Sequence, residues 1–329
     1  MFEPIFQSPP ASKLEVRYLG NVGTALPDAD VLLEVIFGAA PDFVSHPRRL
    51  NVGLQILHGA PLREVWRSYG PVLSGQHGAI RFSEDAQHLF GIIEIDEREH
   101  ADIGAAAQAC YAAIMAFQRG SAKPHLLRMW NYFDAITRGN GDEERYQRFC
   151  VGRAAGLGSR QPRALPAATA IGRRDGSPIL QVYWLAATEP GQAIENPRQI
   201  PAYHYPRQYG RVSPKFARAM LCGNAALLIS GTASVVGHAT HHDGDVAAQL
   251  HETLLNLDSL LQQAHTRDGR CPARFSDSAL LKVYLRHPHS APAVAAELRR
   301  YLPADTGLLI LAADICRDDL LIEIDGLHR

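Results

Sequence analysis

The stretch "ICRDDLLIEIDG" (315–326) sets an acid and a thiol close together in an apolar setting. Leu320, Ile322 and Ile324 alternate with Leu321, Glu323 and Asp325, the period of a strand. An ionised Glu in such a run is costly to bury, so burial would raise its pKa and keep it protonated near neutral pH. A carboxylic acid in that state is a general acid, able to hand a proton to a reacting carbon or oxygen. The same alternation also fits an edge-strand Glu facing solvent, because Asp325 shares its face. If residues 315–316 and 320–326 form a hairpin turning at Asp319–Leu320, Cys316 stands opposite Glu323, with Cβ atoms ~5 Å apart. Such a thiol either lines a pocket with the acid or is a buried structural cysteine.

Other motifs carry less. "GHATHHDGD" (237–245) has three histidines and two aspartates but neither an HExxH pattern nor a second ligand cluster. It reads as a polar loop whose last Asp caps a helix, and no metal site is expected. "GNVG" (20–23) lacks the GxGxxG of a dinucleotide-binding turn. "SGTAS" (230–234) is not a GxSxG nucleophile elbow. "GRRDG" (172–176) is expected to turn a hairpin between two strands.

The whole chain bounds the possibilities. Its 329 residues suffice for a large core and about two domains. A net charge of −1 gives no global field, so neither nucleic acid nor a membrane surface is an expected partner, and an anionic ligand would need a local arginine cluster. The five cysteines are scattered with no CxxC pair, which argues against a disulfide framework and for a reducing cytosol. "MFEPIFQSPP" shows no signal-peptide pattern, and no apolar run nears the ~20 residues of a membrane span.

The elements that position Glu323 recur along the chain. The first half runs "HLFGIIEI" (88–95), an alanine-rich amphipathic helix around 101–118, "HLLRMWNYF" (125–133), "LPAATAI" (165–171) and "ILQVYWLAA" (179–187). The second runs "ALLISGTAS" (226–234), a helix around 245–264, "ALLKVYLRH" (279–287), "LPADTGLLI" (302–310) and "LLIEIDG" (320–326). LLRMW matches LLKVY and LPAAT matches LPADT, in the same order. Each unit reads strand, helix, strand, helix, strand, strand, which predicts α+β units with helices on one face of each sheet. Residues 14–75 give a weaker pattern of a third, degenerate unit. The Pro-rich stretch 188–214 is the candidate boundary.

The second unit resembles the RidA/YjgF superfamily in "LISGTAS", "LLKVYLRHP" and the closing "LLIEI". "LLRMWNYFDAI" and "RYQRFCVGR" extend a likeness to one branch, the chorismatases and chorismate-derived hydroxybenzoate synthases, over nearly the whole chain. The resemblance implies tandem RidA/YjgF-like (chorismate-mutase-like) units with mixed sheets. Residues 1–195 would be an N-terminal region with a degenerate unit, and 196–329 the catalytic unit. The Pro-x-Arg that grips the substrate carboxylate in ordinary RidA deaminases is replaced here by Pro303-Ala304-Asp305. Cys316 and Ala233 are similar to the positions that separate the hydroxybenzoate-forming subgroups from the hydrolytic ones.

The implied reaction is cleavage of chorismate to pyruvate and 3- and/or 4-hydroxybenzoate, without metal or cofactor. Glu323 would be the general acid on the enolpyruvyl methylene, with Cys316 beside it. Chorismate's two carboxylates call for arginine forks, for which the candidates are Arg153 and Arg286, with Tyr146 and Tyr205 as hydroxyl donors. Arg148, Arg207 and Arg211 are rivals. The alternatives are hydrolysis to a dihydroxycyclohexadiene carboxylate, a RidA-like imine deaminase, and a module that only binds small carboxylates. The family's trimers leave a monomer and a homotrimer both open.

Overall fold

The computed structural model describes residues 14–20, 27–38, 46–58 and 62–329. "MFEPIFQSPP" and residues 21–23 of "GNVG" lie outside them. Among the described residues the first strands are β1 (Glu15–Gly20), β2 (Val31–Phe37), β3 (Arg49–Val52), β4 (Ile56–His58), β5 (Leu62–Arg67), β6 (Leu73–His77) and β7 (Ile80–Glu84). The first full unit follows, with β8 (His88–Asp96), α1 (Ile103–Arg119), β9 (His125–Asp134), α2 (Arg145–Leu157), β10 (Ala167–Arg173) and β11 (Ile179–Ala187). Strands β12 (Gln192–Ile194) and β13 (Ala219–Leu221) lead into the second. That unit contains β14 (Leu227–Ala233), the short pair β15 (Val235–Val236) and β16 (Ala239–Thr240), α3 (Val246–Arg267), β17 (Leu280–Leu285), α4 (Ala291–Tyr301), β18 (Gly307–Ala312) and β19 (Ile322–His328).

The two units share one strand order. The first sheet runs β10-β9-β11-β8-β7-β6, and the second runs β4-β18-β17-β19-β14-β13-β12. In each unit the third strand pairs parallel with the second, and the fourth inserts antiparallel between the second and the first. The strand–helix–strand–helix–strand–strand order read from the sequence is therefore present twice. A separate sheet, β1-β5-β2-β3, is built from the N-terminal strands.

This order overturns both hairpin expectations. Strand β9 lies between β10 and β11, and β17 between β18 and β19, so "GRRDG" and residues 313–321 are crossovers to a non-adjacent position. Two apolar strands joined by a short acidic or glycine-rich link look like a hairpin, yet here the link steps over a strand already in place. The LPAAT–LPADT match is also out of register. Arg128 pairs with Ala167 and Lys282 with Leu309, five residues beyond Ala304.

Packing follows the periodicities. Asp102 caps α1 by accepting from the Ala105 amide, and Ile103, Ala106, Cys110 and Ile114 bury one stripe of that helix against the first sheet. Asp245 caps α3 by accepting from Ala247 and Ala248, which is the fate expected for the end of "GHATHHDGD". Leu250, Leu254, Leu257 and Leu261 of α3 join α4 over the second sheet. Among the described residues no group of three or more His, Cys, Asp or Glu is arranged to hold a metal ion. No described helix is long and apolar enough to cross a membrane.

The other faces of both sheets meet each other and the N-terminal sheet in a common core that includes Trp66, Trp130, Tyr183, Tyr284 and Leu309. This arrangement decides the two-faced reading of β19. Ile322 and Ile324 face the helices. Glu323 and Asp325 point into the molecule, 5 % and 0 % exposed respectively. The solvent-edge alternative for Glu323 therefore does not hold.

Candidate active site

Glu323 sits mid-sheet, with Ala233 on β14 opposite it on one side and Tyr284 on β17 on the other. The β14–β19 register shifts between Ile229 and Thr232, and Gly231 lies within that shift. A Cβ on Gly231 would overlap the Glu323 carboxyl oxygen, so glycine in "SGTAS" makes the space in which the acid lies. Burial, reinforced by the charge of Asp325, pushes the Glu323 pKa up to about 8, against the opposing pull of Arg128, Arg218 and Arg317. The group is thus an acid at neutral pH.

Two adjoining cavities open in front of it, an outer one of about 360 Å³ and an inner one of about 50 Å³. Glu323, Cys316, Tyr146, Phe216, Pro214 and Gly231 line both. Tyr205 and Ala233 line the outer one and Arg153 the inner one. The sequence-derived residues therefore converge, with one exception. Cys316 reaches Glu323 from the crossover 313–321 rather than across a hairpin. Burial and the neighbouring carboxyl push its thiol well up, so it is a neutral S–H.

The exception is Arg286, which lines neither cavity. Its guanidinium donates to Asp314 and to the Leu320, Ile315 and Arg317 carbonyls. The rival arginines are likewise engaged elsewhere, Arg148 with Asp102 and Glu143, and Arg207 and Arg211 with Asp142.

Two cavity arginines were not singled out from the sequence. Arg218 donates to the Tyr205 hydroxyl (2.6 Å) and the Ile200 carbonyl (3.0 Å), while its buried Nε has no hydrogen-bond partner. Arg317 stacks on Tyr209, 4.0 Å from the ring centroid, and on Tyr205 at 5.3 Å. Arg153, on α2, donates to Tyr111 (2.9 Å) and the Lys215 carbonyl (2.7 Å), and its Nη2 is buried without a partner. Buried guanidinium N–H groups left open beside a cavity are suited to an anion.

Behind the acid lies a buried polar network, in which Asp325 Oδ1 and Arg128 Nε have no hydrogen-bond partner. Asp325 accepts from Arg128 (3.0 Å), Thr169 (2.8 Å) and Tyr284 (3.1 Å). Lys282 sits 3.8 Å from Asp325 and 2.8 Å from Glu64. Two cations thus face two carboxylates in the core, which keeps the buried charges compensated. The Thr169 hydroxyl oxygen also accepts from the Gly231 amide (3.0 Å), tying the first unit to the strand under Glu323. The first unit has no counterpart acid. Trp130 corresponds to Tyr284 in the LLRMW–LLKVY match, and the residue opposite Trp130 is Tyr183.

A family model described as "Chorismatase FkbO/Hyg5-like, N-terminal" matches residues 64–186. The chain is 34% identical over 292 residues to a 3-hydroxybenzoate synthase of Streptomyces hygroscopicus, covering 84% of each sequence. The chain belongs to the chorismatase family. A chorismatase of Streptomyces rapamycinicus is 35% identical over 274 residues, covering 80% of this chain and 81% of that one. A chorismatase crystal structure superimposes with a TM-score of 0.86 at 31% identity, over 98% of this chain and 100% of the other. The chorismatase fold accounts for both tandem units and for the cavity walls drawn from each. Arg218 and Arg317 escape a sequence reading because both lie outside regular periodic elements, where an arginine looks like any solvated one. The only clue was the Arg-Asp-Asp run after Cys316.

Proposed function

We propose that this chain converts chorismate to pyruvate and 3-hydroxybenzoate, with Glu323 as general acid. The observation that carries the reading is a buried carboxyl group, whose burial favours the protonated form, facing cavities lined by Arg153, Arg218 and Arg317. Chorismate needs both features. Its enol-ether methylene must take up a proton before the ether can break, and its two carboxylates need cations. Arg153 suits one carboxylate in the inner cavity, and Arg218 with Arg317 suits the other at the outer one. Tyr146 and Tyr205 are the proposed hydroxyl donors beside them.

Proton transfer from Glu323 to the methylene carbon makes a methyl group and an oxocarbenium-like centre. The ring hydroxyl oxygen then attacks the adjacent ring carbon as the ether C–O bond breaks, its electron pair forming the pyruvate carbonyl. The hydroxyl proton returns to the Glu323 carboxylate. Opening of the resulting arene-oxide-like species, with loss of a ring proton, gives the phenol, and the same intermediate can give 4-hydroxybenzoate. The two products together contain the atoms of the substrate, so no co-reactant, metal or redox cofactor enters this scheme. Cys316 and Ala233 border the acid and would exclude the water that otherwise traps the ring. A general acid of this kind contributes about 10²–10⁴ in rate.

We assign catalysis to the unit at 196–329, with 1–195 supplying Tyr146, Arg153 and Thr169. All the proposed residues come from one chain, so the chemistry is complete in a monomer and equally in each copy of a homotrimer. Five free cysteines suit a cytoplasmic setting. The test is incubation with chorismate, chromatography of aromatic products and a pyruvate assay. One pyruvate per 3-hydroxybenzoate is expected. A dihydroxycyclohexadiene carboxylate as sole ring product would make the enzyme a hydrolase, and unconsumed chorismate would overturn the reading.

A further inference from the structure

The crossover 313–321 carries Cys316 and Arg317 to the cavity, yet it has no helix or extended strand to hold its shape. Gln249 of α3 holds its C-terminal end, donating to the Asp319 carbonyl (2.7 Å) and accepting from the Leu321 amide (2.8 Å), and one side chain at the end of β17 spans the stretch on both sides of Cys316. Arg286 donates through Nε to the Leu320 carbonyl (2.9 Å), through Nη1 to Asp314 (2.7 Å), and through Nη2 to the carbonyls of Ile315 (3.2 Å) and Arg317 (2.9 Å). Its own amide donates to the Leu321 carbonyl (3.0 Å). The guanidinium is thus ringed by acceptors on both sides of Cys316 and Arg317.

The first unit reinforces the ring. Arg174, in the crossover between β10 and β11, donates to the Arg286 carbonyl (2.8 Å) and to the Asp314 carboxylate. Gly172 and Asp314 exchange backbone hydrogen bonds of 2.8 and 2.9 Å. The two non-hairpin links of the tandem units therefore grip each other through Asp314.

We propose that Arg286 is a positioning residue, which fixes the crossover 313–321 and through it sets both chorismate affinity and the partition between aromatic and hydrolysed product. The proposal rests on the chorismate reading above. Only a planar fork reaches four acceptors in fixed directions; a lysine keeps the charge but not the geometry. Released, the Ile315, Arg317 and Leu320 carbonyls lose a charged donor. Cys316 and Arg317 then shift against Glu323, and a displacement near 1 Å at a reacting centre costs up to about 10²-fold in rate.

The experiment compares Arg286→Lys and Arg174→Ala with wild type in the intact chain. The readouts are KM, kcat, the ratio of 3-hydroxybenzoate to dihydroxycyclohexadiene carboxylate, thermal melting, and hydrogen exchange of peptides covering 314–321. Arg286→Lys is expected to raise KM about tenfold, as loss of charged hydrogen bonds would. It should also lower the aromatic fraction and speed exchange in 314–321 while β14 stays protected. Arg174→Ala should move the same readouts less far. A folded Arg286→Lys with wild-type KM, product ratio and exchange overturns the proposal. Should Arg286→Lys not fold, Arg174→Ala decides alone, and unchanged readouts overturn it. If wild type leaves chorismate untouched, the chorismate reading falls. Exchange in 314–321 then still judges the clamp, faster in the variants for it and unchanged against it.

Discussion

Replacing Glu323 by Gln keeps the shape of the side chain and removes its proton. The folded carboxyl titrates at about 8 against an ordinary value of 4.5. At about 1.4 kcal/mol per pKa unit, that gap amounts to ~5 kcal/mol of differential stabilisation of the neutral form. The sign follows from proton counts. Between pH 4.5 and 8 the unfolded chain has lost this proton and the folded chain keeps it, so wild-type stability falls as pH rises through that window. Glu323→Gln lacks this titration and should gain stability relative to wild type from about pH 5 upward, levelling above about pH 8. Urea denaturation of both proteins at about pH 5, 6.5 and 8 reads the difference. The same substitution should lower kcat by about 10²–10⁴ while chorismate still binds. Parallel stability curves for the two proteins, or an undiminished kcat in the variant, would refute the claim that this carboxyl is a buried acid.

The wild-type rate should fall above about pH 8 as the acid ionises, and Asp325→Asn should shift that alkaline limb to lower pH, because the Asp325 charge helps hold the Glu323 proton. A pH–rate profile measures the shift; melting should show an accompanying loss of about 3–5 kcal/mol, from unpairing Arg128 and Lys282. Gly231→Ala should displace the Glu323 carboxyl and reduce kcat far more than chorismate affinity, as steady-state kinetics and equilibrium binding would show together.

The parts of the fold that the sequence reveals are those with a strong period and an unbroken apolar face. The helix expected around 245–264 is Val246–Arg267, because its leucines repeat at helical spacing and Asp245 caps it. Strand order was hidden. β18 and β19 are close in sequence and both apolar, but nothing in them says that β17 already occupies the space between. The direction in which Glu323 faces was equally hidden, since a strand's alternation tells which residues share a face and not what lies beyond it. The first-unit sheet, over a hundred positions away, supplies that neighbour through Thr169 and Arg128. Arg286 shows the converse problem. Its type and place suggest a ligand for an anion, whereas its donors are already taken by Asp314 and by carbonyls of the crossover 313–321.

Tyr183 standing where the first unit would carry a second Glu323 has a consequence for how such a chamber can change over generations. In a ring of identical chains, any substitution in one wall is repeated in every wall, and a gain at one position is tied to its effect at all the others. Here Thr169 and Arg153 come from one copy and Glu323 and Arg218 from another, so each wall accepts its own substitutions. A lopsided molecule with two unlike acidic ends can thereby be met by unlike sides, a freedom that a symmetric assembly of this scaffold would lack.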